Sequence, residues 1–220
     1  VPCGIIGARL YYVLFKLDYF IANPSRLFSI RDGGLAIYGG IIAGVIVGIL
    51  WCRKKKIRLF AVGDLIAFGL FIGQAIGRWG NFINREAFGA ETDVFCRMGL
   101  TLPGQDTLYV HPTFLYESLW NLVGLIILCV LSRLGKRKYD GQFFWFYILW
   151  YGLGRAWVEG LRTDSLYIGS TGIRVSQLLA AVSALAALCV LIVNAKKAHK
   201  PEDMFVNRKN RETKEPEGGE

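Results

Sequence analysis

The stretch that decides the fold is residues 73–89, which read GQAIGRWGNFINREAFG. Its first part is glycine-rich and apolar, and it leads directly into arginine, asparagine and glutamate with no polar linker between them. Ionisable groups at the end of an apolar helix are costly in a bilayer unless they are paired or hydrated. We therefore interpret this stretch as the end of a membrane helix that carries functional groups.

The composition supports a membrane protein. The chain is 53% hydrophobic and its mean hydropathy is +0.37, which is too apolar for an ordinary soluble domain of 220 residues. A net charge of +9 could indicate nucleic-acid binding, but the lysines and arginines lie mostly in short runs beside apolar segments. Membrane topology explains those runs better, so we expect a lipid bilayer and no nucleic acid as partner.

Six apolar segments approach the length of about 20 residues that crosses a bilayer core. They cover residues 2–17, 34–52, 60–77, 112–132, 141–159 and 174–194. Because unpaired backbone groups are not tolerated in lipid, each segment should be a helix. The sequence therefore predicts an all-α, polytopic membrane bundle of about six transmembrane helices, with seven expected in the full-length protein.

Basic runs at 53–56, 133–138 and 196–200 follow the second, fourth and sixth segments. Positive residues favour the cytoplasmic side, so alternate crossings should end there. We predict a transmembrane domain over residues 1–195 and a charged, disordered cytoplasmic tail over 196–220. The predicted outer loops are 18–33, 78–111 and 160–173.

Small residues recur every four positions in two predicted helices, which favours close approach of neighbouring backbones. These residues are Gly40, Gly44, Gly48, Gly69, Gly73 and Gly77. Metal chemistry, in contrast, has little support. The five cysteines are scattered and the two histidines are far apart, so we expect no metal and no cofactor.

Polar residues on the fifth segment form one stripe. Tyr151, Arg155, Glu159 and Arg162 are separated by four, four and three positions, which places them on one helical face. Arg155 and Glu159 can pair across a turn. The stripe is therefore either an internal salt bridge that holds the bundle or a cationic surface for a ligand.

Polar groups of other segments should lie at the same outer level. Gln74, Arg78 and Asn81 share a face if the third helix continues past Gly77. His111 precedes a face that carries Thr113, Glu117 and Asn121, and Tyr38 lies near the start of the second segment. His111 could instead be a helix-start residue, and Tyr38 an interfacial aromatic residue.

Two arginines at headgroup depth fit a phosphate, because guanidinium groups bind phosphate oxygens bidentately and stay protonated. The sequence contains no nucleophile elbow or Ser-His-Asp arrangement, which argues against an acyl-enzyme hydrolase. A lipid-fragment transferase and a transporter or scramblase of anionic lipids both need such arginines. The residues alone leave both functions open.

Residues 77–86, GRWGNFINRE, resemble the signature G-R-x-G-N-F-I-N-x-E of bacterial phosphatidylglycerol–prolipoprotein diacylglyceryl transferases. The resemblance extends along the chain as far as about Ala195. Its further motifs are Asp32-Gly33-Gly34 with Gly39-Gly40, His111-Pro112 with Tyr116-Glu117, and Tyr151-Gly152-Leu153-Gly154-Arg155 with Glu159 and Arg162.

The resemblance implies transfer of the diacylglyceryl group of phosphatidylglycerol to the lipobox cysteine of a prolipoprotein signal peptide, in the bacterial plasma membrane. It implies that Arg78 binds the lipid phosphate, with Asn81 and Glu86 shaping the headgroup site and His111 beside them. It further implies that Arg155 stabilises the leaving phosphate. In the same way, Glu159 and Arg162 would hold Arg155, and Tyr151 would line the cavity.

Two departures from the family pattern affect the expected chemistry. Many members have histidine where this chain has Tyr38, and tyrosine, with a reference pKa of about 10, is a poor base at neutral pH. Tyr38 thus belongs to the expected catalytic set by position, and the base stays unassigned. The family's first helix, with its own tyrosine, has no counterpart in residues 1–220, so we expect a longer natural protein.

The mechanism that we expect is direct displacement at the glyceryl carbon by the substrate's cysteine thiolate. Nearby guanidinium groups would raise the ionised fraction of that thiol. The five cysteines of the chain itself are unnecessary for such a reaction.

Overall fold

A computed structural model describes residues 2–29, 33–101, 104, 106–163 and 174–207. Within these residues the chain is mostly helical, with one short pair of strands. The helices are α1 (Pro2–Phe15), α2 (Leu17–Ala22), α3 (Ile37–Lys54), α4 (Leu59–Asn84), α5 (Thr113–Arg133), α6 (Gln142–Glu159) and α7 (Val175–Ala195). The strands are β1 (Met98–Leu100) and β2 (Leu108–Val110), which pair antiparallel.

The helical class of the prediction is confirmed. In the described part of the chain, four helices are long and apolar enough to cross a membrane, namely α3, α4, α5 and α7. The helix α1 is apolar but has only 14 residues. The count of six spans therefore stays a prediction. The β1–β2 pair, which lies in the predicted loop 78–111, was not expected from the sequence.

The chain forms two compact units, Val1–Leu59 and Phe60–Glu220. In the first unit, α1 packs on α3 through glycines. The Cα hydrogens of Gly39 face Gly7, and a Cβ added to Gly7 would lie 2.6 Å from the Gly39 carbonyl oxygen. The Ala36 amide also donates to the Ala8 carbonyl at 3.0 Å. No larger residue fits at this crossing without moving the backbone.

In the second unit, two tryptophans link α5 and α6. The Trp120 indole donates to the Trp150 carbonyl at 2.9 Å, and the Trp150 indole donates to the Trp120 carbonyl at 2.8 Å. Their rings stack at 4.6 Å between centroids. Trp150 lies against Gly124, and Trp120 lies against Gly154. This reciprocal pair fixes the register of the two helices.

Asp64 of α4 fixes the start of α6. Its carboxylate accepts hydrogen bonds from the amides of Gly141, Phe143 and Phe144 at 2.8 to 3.0 Å, and it pairs with Arg137 at 2.8 Å. An anion at a helix N-terminus stabilises the unpaired amides there. Asp64 is thus a structural residue that joins α4 to the start of α6.

One predicted boundary differs from the structure. The third apolar segment, predicted over 60–77, belongs to a helix that continues to Asn84, because side chains beyond Gly77 anchor it to α5. The predicted tail begins directly after α7, and its described part includes a short 3-10 helix, Pro201–Asp203. The Phe205 amide donates to Asp140 at 3.0 Å. Residues 208–220 lie outside the described part of the chain, and so do 164–173 of the third predicted outer loop.

The expected role of the glycine repeats in helix packing stays a prediction for most of their members. Among described residues, nothing lies within 4 Å of a Cβ built at Gly44, Gly48, Gly69, Gly73 or Gly77. The close contacts lie at other glycines, including Gly124, Gly152 and Gly154. Spacing shows which glycines share a helix face, but a close contact also needs a large side chain on the neighbouring helix. For Gly124 and Gly154 that side chain is a tryptophan.

This difference gives a test of the α5–α6 register. Gly154→Ala should lower the apparent midpoint of thermal unfolding in detergent, because the new methyl group collides with the Trp120 indole; overpacking of this kind costs about 1–3 kcal/mol. Gly69→Ala, the matched control on an open face, should change stability by less than about 0.5 kcal/mol. Equal midpoints for the two variants would contradict the proposed packing.

Candidate active site

The end of α4 is attached to α5 by a relay of hydrogen bonds. The Trp79 indole donates to the Ser118 hydroxyl at 3.2 Å, and that hydroxyl donates to the Ala75 carbonyl at 2.8 Å. Because Arg78 and Glu117 are the chain neighbours of Trp79 and Ser118, the same attachment brings their side chains together. The helical continuation past Gly77 therefore positions Arg78.

Glu117 bridges two arginines from different helices. One carboxylate oxygen lies 2.5 Å from the Arg78 guanidinium, and the other lies 3.3 Å from Arg155. The Glu117 side chain is 7% exposed, compared with 21% for Arg78 and 16% for Arg155. A carboxylate this buried requires paired charges, because its desolvation is costly. The three helices α4, α5 and α6 thus meet at one shared anion.

The ion-pair chain continues along α6 to α7. Arg155 pairs with Glu159 at 2.7 Å, four residues along the helix, as its spacing predicts. The Ser176 hydroxyl donates to Glu159 at 2.6 Å, and the Gln177 amide donates to the Ala156 carbonyl at 2.9 Å. The start of α7 therefore holds Glu159, the last member of an ion-pair chain that runs from Arg78 through Glu117 and Arg155 to Glu159.

A second cluster of polar side chains lies at the C-terminal end of α4. Arg78 donates to Asn81 at 3.4 Å, and the Asn81 amide donates to Glu86 at 3.1 Å. Asn84 also donates to Glu86, at 3.2 Å. Glu86 is exposed and receives both amides, so its carboxylate is oriented by the helix end. This arrangement connects Glu86 to Arg78 through a single asparagine.

Gly89 joins three segments near this end of the unit. Its amide donates to the His111 carbonyl at 3.0 Å, and the next amide, of Ala90, donates to Leu161 at 3.0 Å. Gly89 also forms an antiparallel bridge with Arg162. A Cβ here would lie 2.6 Å from the His111 Cβ and 2.9 Å from the Leu161 oxygen. Only glycine therefore fits between these two segments.

The remaining candidates of the second unit are His111, which contacts Tyr116, and Tyr151, which lines a cavity beside Glu117 and Arg155. The Nδ1 atom of His111 is 3.2 Å from the Tyr116 hydroxyl. Tyr151 lines a small cavity together with Glu117, Asn121 and Arg155. The cavity has a volume of about 10 Å³, which holds roughly one water molecule. Within the described residues, the buried Oδ1 of Asn121 has no hydrogen-bond partner. That oxygen is an acceptor available to a ligand.

The arrangement can bind and stabilise an anion. Each guanidinium has five N–H donors, and the described contacts of Arg78 use two of its groups. Glu117 holds two of these guanidinium groups on one carboxylate, and guanidinium groups are donors suited to phosphate oxygens. In the described part of the chain, no group of three or more histidine, cysteine or acidic residues is placed to hold a metal ion.

The structure brings together most of the residues that the sequence singles out. Arg78, Asn81 and Glu86 are connected at the end of α4, and Arg155 and Glu159 pair on α6. Arg162 lies on the backbone bridge to Gly89. Tyr38 belongs to the first unit, where it is 65% exposed, so its place beside the arginines stays a prediction.

The sequence pattern assigns no role to two residues of this site, Glu117 and Gly89. Glu117 lies on the predicted polar face, and a glutamate inside an apolar segment is itself a signal of function. Gly89 ends the decisive stretch, but its contacts depend on segments more than 20 and 70 residues away. Such contacts leave no local pattern.

Comparisons with known proteins identify the family of the chain. The family model described as prolipoprotein diacylglyceryl transferase matches residues 1–193. Relatives named phosphatidylglycerol–prolipoprotein diacylglyceryl transferase, from Bacillus cereus (strain 03BB102) and Bacillus thuringiensis subsp. konkukian (strain 97-27), are each 44% identical to the chain over 203 residues. Each of these matches covers 89% of this chain and 74% of the relative. The chain therefore belongs to the prolipoprotein diacylglyceryl transferase family.

Proposed function

We propose that the chain transfers the diacylglyceryl group of phosphatidylglycerol to the lipobox cysteine of prolipoproteins, the first step of lipoprotein maturation. Family membership and the names of its relatives support the transferase activity and the lipid substrate. The structural observation that carries the proposal is the bridging of Arg78 and Arg155 by Glu117. In the proposed site, this bridge holds the two guanidinium groups that bind phosphate side by side in a membrane helix bundle.

In the proposed site, Arg78 binds the phosphate of the lipid, and Asn81 and Glu86 shape the headgroup pocket. Their direct hydrogen bonds support this grouping. Arg155 stabilises the leaving phosphate. The remaining candidates have supporting roles: Glu159 and Arg162 hold Arg155 in place, Tyr151 lines the cavity, His111 contributes to headgroup binding, and Tyr38 contributes to catalysis.

The reaction that we propose is a single displacement. The substrate's cysteine sulfur forms a bond with the glyceryl carbon of the diacylglycerol part, and the bond from that carbon to the phosphate oxygen breaks. The products are a thioether and glycerol 1-phosphate, and the thiol proton passes to a base or to the released phosphate. The chain contributes position and positive charge, and it forms no covalent intermediate.

We place the protein in the bacterial plasma membrane as a multi-pass protein of about six spans in this chain. The basic runs after α3, α5 and α7 support a cytoplasmic C-terminus, with the arginines towards the outer leaflet. Secreted prolipoproteins present their signal peptide and cysteine to that leaflet. Both substrates would then reach the site from the bilayer.

A mass measurement tests the activity. Purified protein, phosphatidylglycerol vesicles and a peptide with a lipobox cysteine should give a peptide whose mass has increased by one diacylglyceryl group. A transporter or scramblase of anionic lipids, which family membership does not favour, would move the lipid and leave the peptide unmodified. An unmodified peptide with folded protein would contradict the proposed function.

Arg78→Lys should lower kcat/KM in this assay roughly tenfold or more, because an ammonium group cannot bind phosphate bidentately or bridge to Glu117 and Asn81 together. The matched control is Arg53→Lys at an exposed arginine in the last turn of α3, which should stay within about twofold. A similar loss in both variants would argue against a phosphate-binding role for Arg78.

Glu117→Gln should lower kcat about tenfold or more and leave KM for phosphatidylglycerol nearly unchanged. The neutral amide no longer holds two repelling guanidinium groups together. It also does not compete with the lipid phosphate for these guanidinium groups as a carboxylate would. The control Glu91→Gln removes an exposed glutamate from the loop after α4 and should have little effect. An unchanged kcat in the Glu117 variant would show that the bridge is dispensable.

A further inference from the structure

Two residues other than glycine adopt positive φ angles directly after α4. Arg85 and Ala87 each have a φ of 56°, and Glu86 lies between them. A residue with a Cβ is disfavoured in this left-handed region, which glycine adopts freely. Backbone of this kind costs free energy and persists only where the surrounding structure imposes it, often at functional sites. The Arg85–Ala87 turn is therefore held by contacts outside it.

The end of the helix accounts for Arg85. Its amide donates to the Phe82 carbonyl at 3.2 Å, and the next amide along the chain donates to the Asn81 carbonyl at 3.0 Å. This pair of bonds is a Schellman motif, which requires a left-handed residue, commonly glycine, just after the helix. The same motif ends α3 at Lys56, whose φ is 52°. Helix termination does not, however, explain Ala87.

The start of α5 holds Ala87. The Thr113 hydroxyl donates to the Ala87 carbonyl, and Thr113 is only 2% exposed. Two residues further along, the Gly89 amide donates to the His111 carbonyl at 3.0 Å. Because both bonds attach this stretch to the segment 111–113, the left-handed conformation of Ala87 is imposed by a contact between segments that are distant in the sequence.

The turn directs the Glu86 carboxylate back to the end of α4. Its Oε1 atom accepts the amides of Asn81 at 3.1 Å and Asn84 at 3.2 Å. Among the described residues, no donor contacts the other oxygen, Oε2. A carboxylate oxygen with free lone pairs can accept hydrogen bonds from hydroxyl groups. Under the proposed function, the headgroup glycerol of the lipid supplies such hydroxyls beside the phosphate at Arg78.

We propose that the Arg85–Ala87 turn is a device that orients Glu86, with Thr113 and Ala87 as positioning residues. This inference rests on the proposed function, which assigns Glu86 to the headgroup. Without the Thr113 hydroxyl, Ala87 relaxes out of the left-handed region and the Glu86 carboxylate turns away from Asn81. The strained turn thus fixes the direction of Oε2 before a ligand arrives, so that less ordering is required on binding.

Titration calorimetry of the full chain in detergent with glycerol 1-phosphate tests the device. This ligand carries the phosphate and the headgroup hydroxyls, and its binding needs no transfer reaction. Thr113→Val, which has nearly the same shape, should weaken binding about fivefold through loss of one oriented hydrogen bond. Addition of Ala87→Gly should restore binding to within about twofold, because glycine adopts positive φ without the cost that drives alanine away.

Two further variants show whether the effect passes through Glu86. In a Glu86→Ala background, Thr113→Val should cause no additional loss of binding. Ala87→Val, whose branched side chain is excluded from the left-handed region, should weaken binding as Thr113→Val does, so the test does not depend on the stability of one variant. Methyl phosphate, which lacks the hydroxyls, should bind to all of these variants equally.

Lys56→Gly is the matched control for a new glycine at a left-handed position. It should raise the midpoint of thermal unfolding, as Ala87→Gly should, but it should not restore binding in the Thr113→Val variant. Three results would overturn the proposal: no glycerol 1-phosphate binding by the unmodified chain, no rescue by Ala87→Gly, or additive losses in Glu86→Ala/Thr113→Val. Absence of transfer in the mass assay would instead overturn the proposed function and leave the binding results intact.

Discussion

The shared carboxylate of Glu117 is the interaction on which the second unit depends. It lies between Arg78 of α4 and Arg155 of α6, and it is nearly buried. Removal of one partner from such a buried pair typically costs about 3–5 kcal/mol, because a charge then remains without compensation. The three helices must therefore pack in a register that keeps all three side chains together, and their other contacts serve that register.

Three tryptophans supply the register without taking part in the charge network. Trp79 anchors α4 to Ser118, one residue after Glu117. The Trp120–Trp150 pair links α5 to α6 two residues further along α5. Indole N–H groups suit this purpose, since each combines a large apolar surface with one donor that must be satisfied when buried. Glycines opposite the rings at 124 and 154 give them room. Apolar packing thus sets the geometry of the charges.

The sequence predicted those features that depend on local spacing. The apolar segments, the pairing of Arg155 with Glu159 four residues on, and the grouping of Arg78 with Asn81 follow from helical periodicity, and the structure contains each. What the sequence could not predict depends on which helices become neighbours. The bridge by Glu117, the insertion of Gly89 between His111 and Leu161, and the open face at Gly69 and Gly73 are all of this kind. A periodic pattern identifies a face, but the residues opposite that face come from distant parts of the chain.

The balance of charge explains how such a site could favour reaction over simple binding. Glu117 and Glu159 together match the charges of Arg78 and Arg155, so the resting ion-pair chain offers no strong excess of charge to a phosphodiester. In the proposed displacement, the phosphate gains a negative charge as its bond to the glyceryl carbon breaks. Guanidinium donors that are already oriented then interact more strongly with the developing anion than with the bound lipid. Stabilisation that grows along the reaction coordinate raises kcat, whereas tight binding of the phosphodiester would only lower KM.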